Sequence, residues 1–543
     1  LNARREEAIP RKLGGSGRLN MVTDLRITKR VVSVNPATGE TLRELDCATE
    51  GEVRESVARA RAAQPAWFKR GVHVRIAALR NFQRLLHERK TEVAQLITRE
   101  AGKPYVEALT TEVLVVLDAA RFYIDHGYHL LRDEPLQHGN LAMKTKRGYV
   151  VREPYGVIGI VSPWNYPFSI PATETLAALV AGNTVVVKPS ELTSLVVLEL
   201  ASLLHRAGVP EDVFQVAVGD GATGAALVDS AIDKLVFTGS VPTGKRIAQN
   251  AAARLLPVVL ELGGKDPMIV LEDADIDVAS SGAIWGAFVN AGQTCLSVER
   301  CYVQRKIYEP FLEACVEKAK RLHVGNGMDP ATDMGPMVNE RQLHVVGQHV
   351  QDARTRGARV LAGGMRLPEA GPNFYAPTVL ADVTHDMRIM RAETFGPVLP
   401  IMSFETEDEA IRLANDSEYG LAASIWTRDR SRGEALARRI AAGTVLINDV
   451  VSCFGISEAP HGGIKASGIG RTHGRFGLEE MVRIKYVDCD RLPGMKKVWW
   501  YQYGARFTRQ IEEFLHMQFA GKTGQRLRGA LGSAGIFLGK RRL

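Results

Sequence analysis

From about Glu52 to Leu131 apolar residues recur at three- and four-residue spacing, as in VRIAALRNFQRLLHERKTEVAQLI. That period predicts amphipathic helices. Beyond it the pattern changes to short, nearly continuous apolar runs bounded by turn residues. YGVIGIVSP, GNTVVVKPS, VFQVAVGDG and KLVFTGS each predict a buried strand, and ATETLAALVA, LTSLVVLELASLLHRAG and AALVDSA predict helices between them. Buried Val/Ile runs alternating with helices indicate βαβ units and a parallel sheet covered on both faces. A second series begins at LPVVLELGGKDPMIVL, with a helix through Gly282–Asn290, the strand CYVQ and a helix from Pro310. It continues through YAPTVL, VLPIMSF, a helix around Asp408–Asn415, LAASIWT, a helix to Ile440 and TVLIND. Two stacked α/β domains is the economical fold class.

Composition narrows this picture without redirecting it. The chain has 543 residues, 45% hydrophobic and 24% charged, which suits a large enzyme-like core. No segment approaches the eighteen or so apolar residues that cross a bilayer. LNARREEAIPRKLGG carries charges but no apolar core of a secretory signal, so residues 1–20 are expected to be a leader or upstream extension outside the fold. The six cysteines, Cys47, Cys295, Cys301, Cys315, Cys453 and Cys489, never form a CxxC pair. That spacing argues against a zinc site and a secreted disulfide framework, and no metal is expected; a reducing cytoplasm fits. The net charge is +8, but much of the excess sits at the termini, so no nucleic-acid partner is implied. Residues 491–543 form a basic, aromatic extension. It reads either as a helix packed on the body or a subunit partner, or as a peripheral contact with an anionic membrane surface.

Three stretches carry chemistry: SPWNYP (Ser162–Pro167), LELGGK (Leu260–Lys265) and GQTC (Gly292–Cys295). A Cys and a Glu in separate loops suggest a nucleophile and a base brought together by folding. Asn165 offers an amide donor of the kind that stabilises an oxyanion. Alone, each signal is weak, because a single loop cysteine is inert packing more often than not.

Taken with FTGS, KPSE and ETFGP, these stretches resemble the aldehyde dehydrogenase superfamily in order and approximate spacing, over roughly Val31 to Asp490. The resemblance implies a Rossmann-like cofactor domain (residues 21–262), a catalytic domain (263–450) and a return to the cofactor domain (451–490). It also implies a small oligomerisation arm of strands near 142–152 and 481–490, and a homodimer or homotetramer. By the same resemblance, Cys295 is the nucleophile, Asn165 and the Cys295 backbone N–H hold the oxyanion, and Glu261 activates water against the thioester. A thiolate suits this work because its ester stays open to hydrolysis. Cys301, at the head of an apolar strand, reads as a buried core residue, and Arg300 as structural.

GDGATG (Gly219–Gly224) matches GxGxxG after a strand, but a lone match among 51 glycines is cheap evidence. The resemblance instead puts the pyrophosphate at Gly239, Ser240 and Gly244 of FTGSVPTG, where glycines and a helix N-terminus favour an anion. Lys188 and Glu191 then meet the adenosine ribose, Glu393 and Phe395 the nicotinamide end, and Trp164 packs near the cofactor. Glu191 would repel a 2′-phosphate, which favours NAD over NADP without excluding the latter. Tyr166, Leu296 and Cys453 are expected in the substrate pocket. His461 is expected at its mouth, as a polar residue able to titrate near neutral pH. The small-molecule partner is expected to be a medium or long aliphatic or aromatic aldehyde. A semialdehyde, an amino-aldehyde and acyl transfer to coenzyme A are the rivals.

Overall fold

The structure, a computed structural model, describes residues 29–140, 143–494, 497, 499–501 and 503–537; the expected leader at residues 1–20 lies outside the described residues. The chain divides into two compact units, one of residues up to Leu130 with Pro154–Arg483, the other of Leu131–Glu153 with Ile484 onward.

The first unit holds two main sheets. A six-stranded sheet runs in the order Gly468–Ile469, Val258–Glu261, Lys234–Thr238, Val157–Val161, Thr184–Lys188, Phe214–Val216. The strands are parallel except for Gly468–Ile469, which pairs antiparallel with Val258–Glu261. Thr184–Lys188 is buried at every position, which is why TVVVK is an unbroken apolar run and not an alternation. A seven-stranded sheet follows the order Arg359–Ala362, Thr378–Ala381, Val398–Phe404, Val298–Gln304, Asp266–Val270, Ala422–Trp426, Thr444–Ile447. Only its first pair is antiparallel.

LPVVLELGGKDPMIVL is the hinge of this arrangement, since Val258–Glu261 ends one sheet and Asp266–Val270 begins in the other. The link passes through Gly264, where a Cβ would stand 2.4 Å from the Cys295 carbonyl oxygen. No side chain fits there, so the crossing strand runs directly against the cysteine loop.

The early helical region begins at Glu50–Lys69, capped by a reciprocal Thr49–Glu52 capping box. Near its end, Ala108–Val113 widens into a π-helical turn, a feature that recurs at functional sites. The antiparallel pair Arg30–Val34 and Thr41–Asp46 precedes it, an element absent from the sequence reading. The second unit contains a three-stranded sheet in the order Val482–Asp490, Lys146–Pro154, Glu134–Leu136, and the helices Ala505–Phe519 and Thr523–Phe537.

Candidate active site

The chemistry-bearing loops gather at the carboxyl ends of the six-stranded sheet, where open α/β sheets bind ligands. SPWNYP follows Val157–Val161, FTGS follows Lys234–Thr238, and Glu261 closes its own strand. The cysteine loop reaches them from the end of helix Ile276–Phe288. Its backbone turns through three successive left-handed residues, Asn290 (φ 54), Ala291 (φ 54) and Gly292 (φ 73). Each non-glycine residue of that kind costs about 1–2 kcal/mol, so the loop must be held from outside.

It is held by buried hydrogen bonds. The Asn290 amide donates to the Asn165 carbonyl (3.0 Å) and to the Gln293 carbonyl (3.1 Å). Its backbone N–H donates to Glu107 Oε2 at 3.0 Å, at the edge of the π-helical turn. Gln293 donates to the Asn290 carbonyl at 2.9 Å and accepts from Val338 N at 2.8 Å. Asn165 Nδ2 donates to the Gln293 carbonyl at 3.0 Å, two residues before Cys295. An amide has two N–H groups, and this bond uses one of them. Behind it, the fully buried Lys103 ammonium donates to the Asn165 carbonyl (2.8 Å) and Glu112 (2.7 Å). It also lies 3.8 Å from the centre of the Tyr166 ring. Glu112 in turn accepts from Ser169 N at 2.7 Å, fixing the start of the next helix.

Cys295 is half-buried, and its thiol is pushed well above its usual range, first by burial and then by the carboxylates of Asp266, Glu393 and Glu261. Glu261 is buried with no hydrogen-bond partner on either oxygen among the described residues. Burial raises it far above the ordinary carboxylate range; Glu174 adds to the rise and Arg471 opposes it. His461 overturns the expectation made for it. It is a buried ring and not a residue that titrates near neutral pH, its Nε2 3.7 Å from Glu261 Oε2. Burial, helped by Arg471, pushes it down to about 4, so it stays neutral near pH 7. Its ring packs edge-on against Phe454 (5.1 Å) and His473 (5.7 Å).

Around the thiol the lining is apolar. Leu296 and Cys453 cluster with Leu421 and Ala422, and Cys295, Leu446, Val451 and Phe454 pack against them. The Tyr166 hydroxyl is tied to Thr294 Oγ1 at 2.7 Å. Cys301 is fully buried in its strand. Arg300 is buried too, spending its guanidinium on the carbonyls of Lys265, Leu413 and Ala414.

The glycine-rich stretches also separate. In GDGATG, Asp220 caps the helix Gly221–Asp229 and forms an ion pair with Lys29, so a carboxylate already occupies that N-terminus. In FTGSVPTG, Ser240 is exposed at the start of helix Val241–Ala253, which has no side-chain cap bond of its own.

The aldehyde dehydrogenase family model matches residues 24–487. A 4,4'-diapolycopene aldehyde oxidase of Methylomonas sp is 39% identical over 490 residues, 89% of this chain and 90% of that protein. A protein of Mycolicibacterium smegmatis, provisionally named an NADP(+) succinate-semialdehyde dehydrogenase, is 40% identical over 457 residues, 84% of this chain and 88% of its own. The NAD+ complex of an aldehyde dehydrogenase from Bacillus cereus superimposes with a TM-score of 0.81 at 38% identity, covering 85% of this chain and 93% of that one. The chain belongs to the aldehyde dehydrogenase family. It is an oxidoreductase acting on aldehydes.

An aldehyde dehydrogenase needs an electron acceptor, and the strand ends of this one fit a dinucleotide. Lys188 ends its strand buried and pairs at 3.3 Å with the exposed Glu191. Ser240 and its uncapped helix follow Lys234–Thr238, the strand beside Val157–Val161. At Gly244 a Cβ would lie 2.5 Å from Leu262, which keeps that helix close to the strand ends. Glu393 accepts from Gly264 N at 3.1 Å and is pushed up to about 8 by burial and Glu299. Trp164 and Phe395 meet edge to face at 5.4 Å.

Sequence reasoning missed Glu174, Lys103, Glu112 and His473. Glu174 sits buried in the helix after SPWNYP, pushed up to about 8 by burial, with one oxygen unpartnered among the described residues. Its other oxygen meets Thr238 Oγ1 at 3.4 Å, and Thr238 is the register partner of Glu261. A signal existed for Glu112, which takes a place on the apolar stripe it shares with Val116 and Ala120.

Proposed function

We propose that this aldehyde dehydrogenase oxidises its substrate through a covalent Cys295 adduct and hydrolyses the resulting thioester with Glu261. The observation that carries this reading is the pairing of two features. Asn165 is bonded to the cysteine loop, and Glu261 is a buried carboxyl with both oxygens unclaimed in the sheet beside that loop.

Cys295 loses its proton to solvent, and its sulfur bonds to the aldehyde carbon as the carbonyl π pair moves to oxygen. The carbonyl oxygen becomes an oxyanion facing the second Asn165 N–H and the Cys295 backbone N–H. NAD or NADP, when bound, supplies the hydride acceptor. With hydride gone, the carbon remains as a thioester on Cys295. Glu261 takes a proton from water, whose oxygen attacks the thioester, and the carbon–sulfur bond breaks to release the acid. Burial first, and then Asp266, Glu393 and Glu261, disfavour the thiolate, so it forms more readily at alkaline pH.

The apolar lining of Leu296, Cys453, Leu421 and Phe454 supports an apolar, medium or long aliphatic or aromatic aldehyde. The semialdehyde reading draws support from the name of the mycobacterial relative. Glu191 beside Lys188 supports NAD as the preferred acceptor.

The test is reduced-cofactor formation over a panel of aliphatic, aromatic, semialdehyde and amino-aldehyde substrates, each with NAD and NADP. Cys295→Ala is expected to abolish turnover. Glu261→Gln is expected to give a single burst of reduced cofactor followed by negligible steady-state rate. Steady turnover by Glu261→Gln, or wild-type turnover only with coenzyme A present, would overturn the hydrolytic scheme.

A further inference from the structure

Charge is divided unevenly along the chain. Residues 491–543 contain eleven Lys and Arg against two Glu, whereas the other 490 residues contain 58 basic against 59 acidic. The whole basic excess therefore belongs to one short segment.

Within it, Ala505–Phe519 and Thr523–Phe537 form a helical hairpin. The second helix carries Gly524, Gly529, Gly532 and Gly535, a composition too poor in helix formers to be stable by itself in water. Its glycines let it close on the first helix. A Cβ at Gly529 would lie 2.4 Å from Met517 N, and one at Gly532 2.5 Å from Glu513 Cγ. The packing stripe is thus Gly529, Gly532, Ser533 and Ile536. At about 100° per residue, Leu527 and Leu531 stand roughly opposite that stripe. They are 63% and 81% exposed, and Phe519 of the first helix is 75% exposed with Leu515 one turn before it. Lys522, Arg526 and Arg528 are exposed beside these residues, and the second helix has no acid. Trp500, Tyr501 and Tyr503, just ahead of the hairpin, are also exposed. Large apolar and aromatic side chains set among five cations against two Glu, both in the first helix, match the boundary of an anionic bilayer, where acyl chains cover the former and headgroups the latter. No described helix is long and apolar enough to cross a membrane, so the contact is with the surface.

We propose that the hairpin Ala505–Phe537 is a docking surface for anionic lipid bilayers, seating the enzyme on a membrane through Phe519, Leu527 and Leu531 with Lys522 and Arg528 around them.

The test is flotation of the full chain with phosphatidylcholine vesicles, with and without one-third phosphatidylserine, at low and high salt. Binding to the anionic vesicles at low salt is expected to exceed binding to neutral ones by tenfold or more and to fall steeply with salt. Lys522→Gln with Arg528→Gln is expected to lose most of that difference. Arg526 is left in place because it donates to the Ala520 carbonyl between the helices. Phe519→Ser with Leu527→Ser and Leu531→Ser is expected to lose vesicle binding while keeping helix content by circular dichroism and turnover of a short soluble aldehyde. Equal binding to neutral and anionic vesicles, or none to either, would overturn the proposal. So would a triple Ser variant that floats normally but has a smaller mass by light scattering, which would make the face a contact between copies.

Discussion

Cys295 and Glu261 share an environment that withholds charge from both. Burial and neighbouring carboxylates raise the thiol and the carboxyl alike, so each reaches its reactive, ionised form later in a pH titration than it would in water. Two outcomes follow at this scale. Alkylation of Cys295 by iodoacetamide in the cofactor-free protein should be slow at neutral pH and still rising past the titration of an ordinary thiol; a plateau below pH 8 would contradict the burial argument. Asn165→Ala should lower kcat by roughly 10²–10³-fold, the usual loss of one oxyanion donor, with circular dichroism unchanged. Glu174 acts on stability. Its carboxyl is raised from 4.5 to about 8, so the folded chain keeps a proton that the unfolded chain has released. The resulting stabilisation is complete below about 4.5 and is lost as pH rises through about 8. Urea midpoints of the wild type should therefore fall relative to Glu174→Gln across that window, and parallel curves would refute the assignment.

At the scale of elements, the Cys295 loop depends on a helix far away in sequence. Lys103 and Glu112 are both fully buried, and they tie the π-helical segment to the Asn165 loop and the helix that follows. Lys103→Met strands the Glu112 charge and should cost about 3–5 kcal/mol in chemical denaturation. Lys103→Met with Glu112→Gln should recover much of that loss while leaving kcat low, because the Asn165 carbonyl has still lost its donor. Parts of this scale were legible beforehand. The Val/Ile runs gave the parallel strands because burial on both faces imposes a continuous apolar pattern. Cys295, Glu261 and Asn165 were singled out by the resemblance of their loops to one family, since a lone cysteine, acid or amide in a loop carries little signal of its own. The Lys103–Glu112 tie was not read, since a charge in a helical stretch looks solvated until the covering element is known. His461 was misread for the same reason, as only Phe454 and His473 in three dimensions show that water is excluded from it. The pair Arg30–Val34 and Thr41–Asp46 was overlooked although VVSVNPATGETLREL contains alternation and a turn signal.

For the whole molecule, the three-stranded sheet leaves Val482–Asp490 at an outer edge, with Ile484 and Tyr486 exposed. An uncovered edge of this length invites pairing with another chain. The protein is expected to be a homo-oligomer, and Ile484→Lys with Tyr486→Lys should reduce its mass by light scattering. An unchanged mass would exclude this edge as the contact.

The concentration of net positive charge in the last 53 residues has a consequence at the bench. A protease that cuts just after Asp490 leaves every residue of the candidate site in place, yet turns a strongly basic protein into one close to neutral. The intact form would be retained on a cation-exchange column at neutral pH and the clipped form would flow through. A preparation purified for activity alone would not register the cut, and its assays in dilute buffer would describe an enzyme that had lost its address.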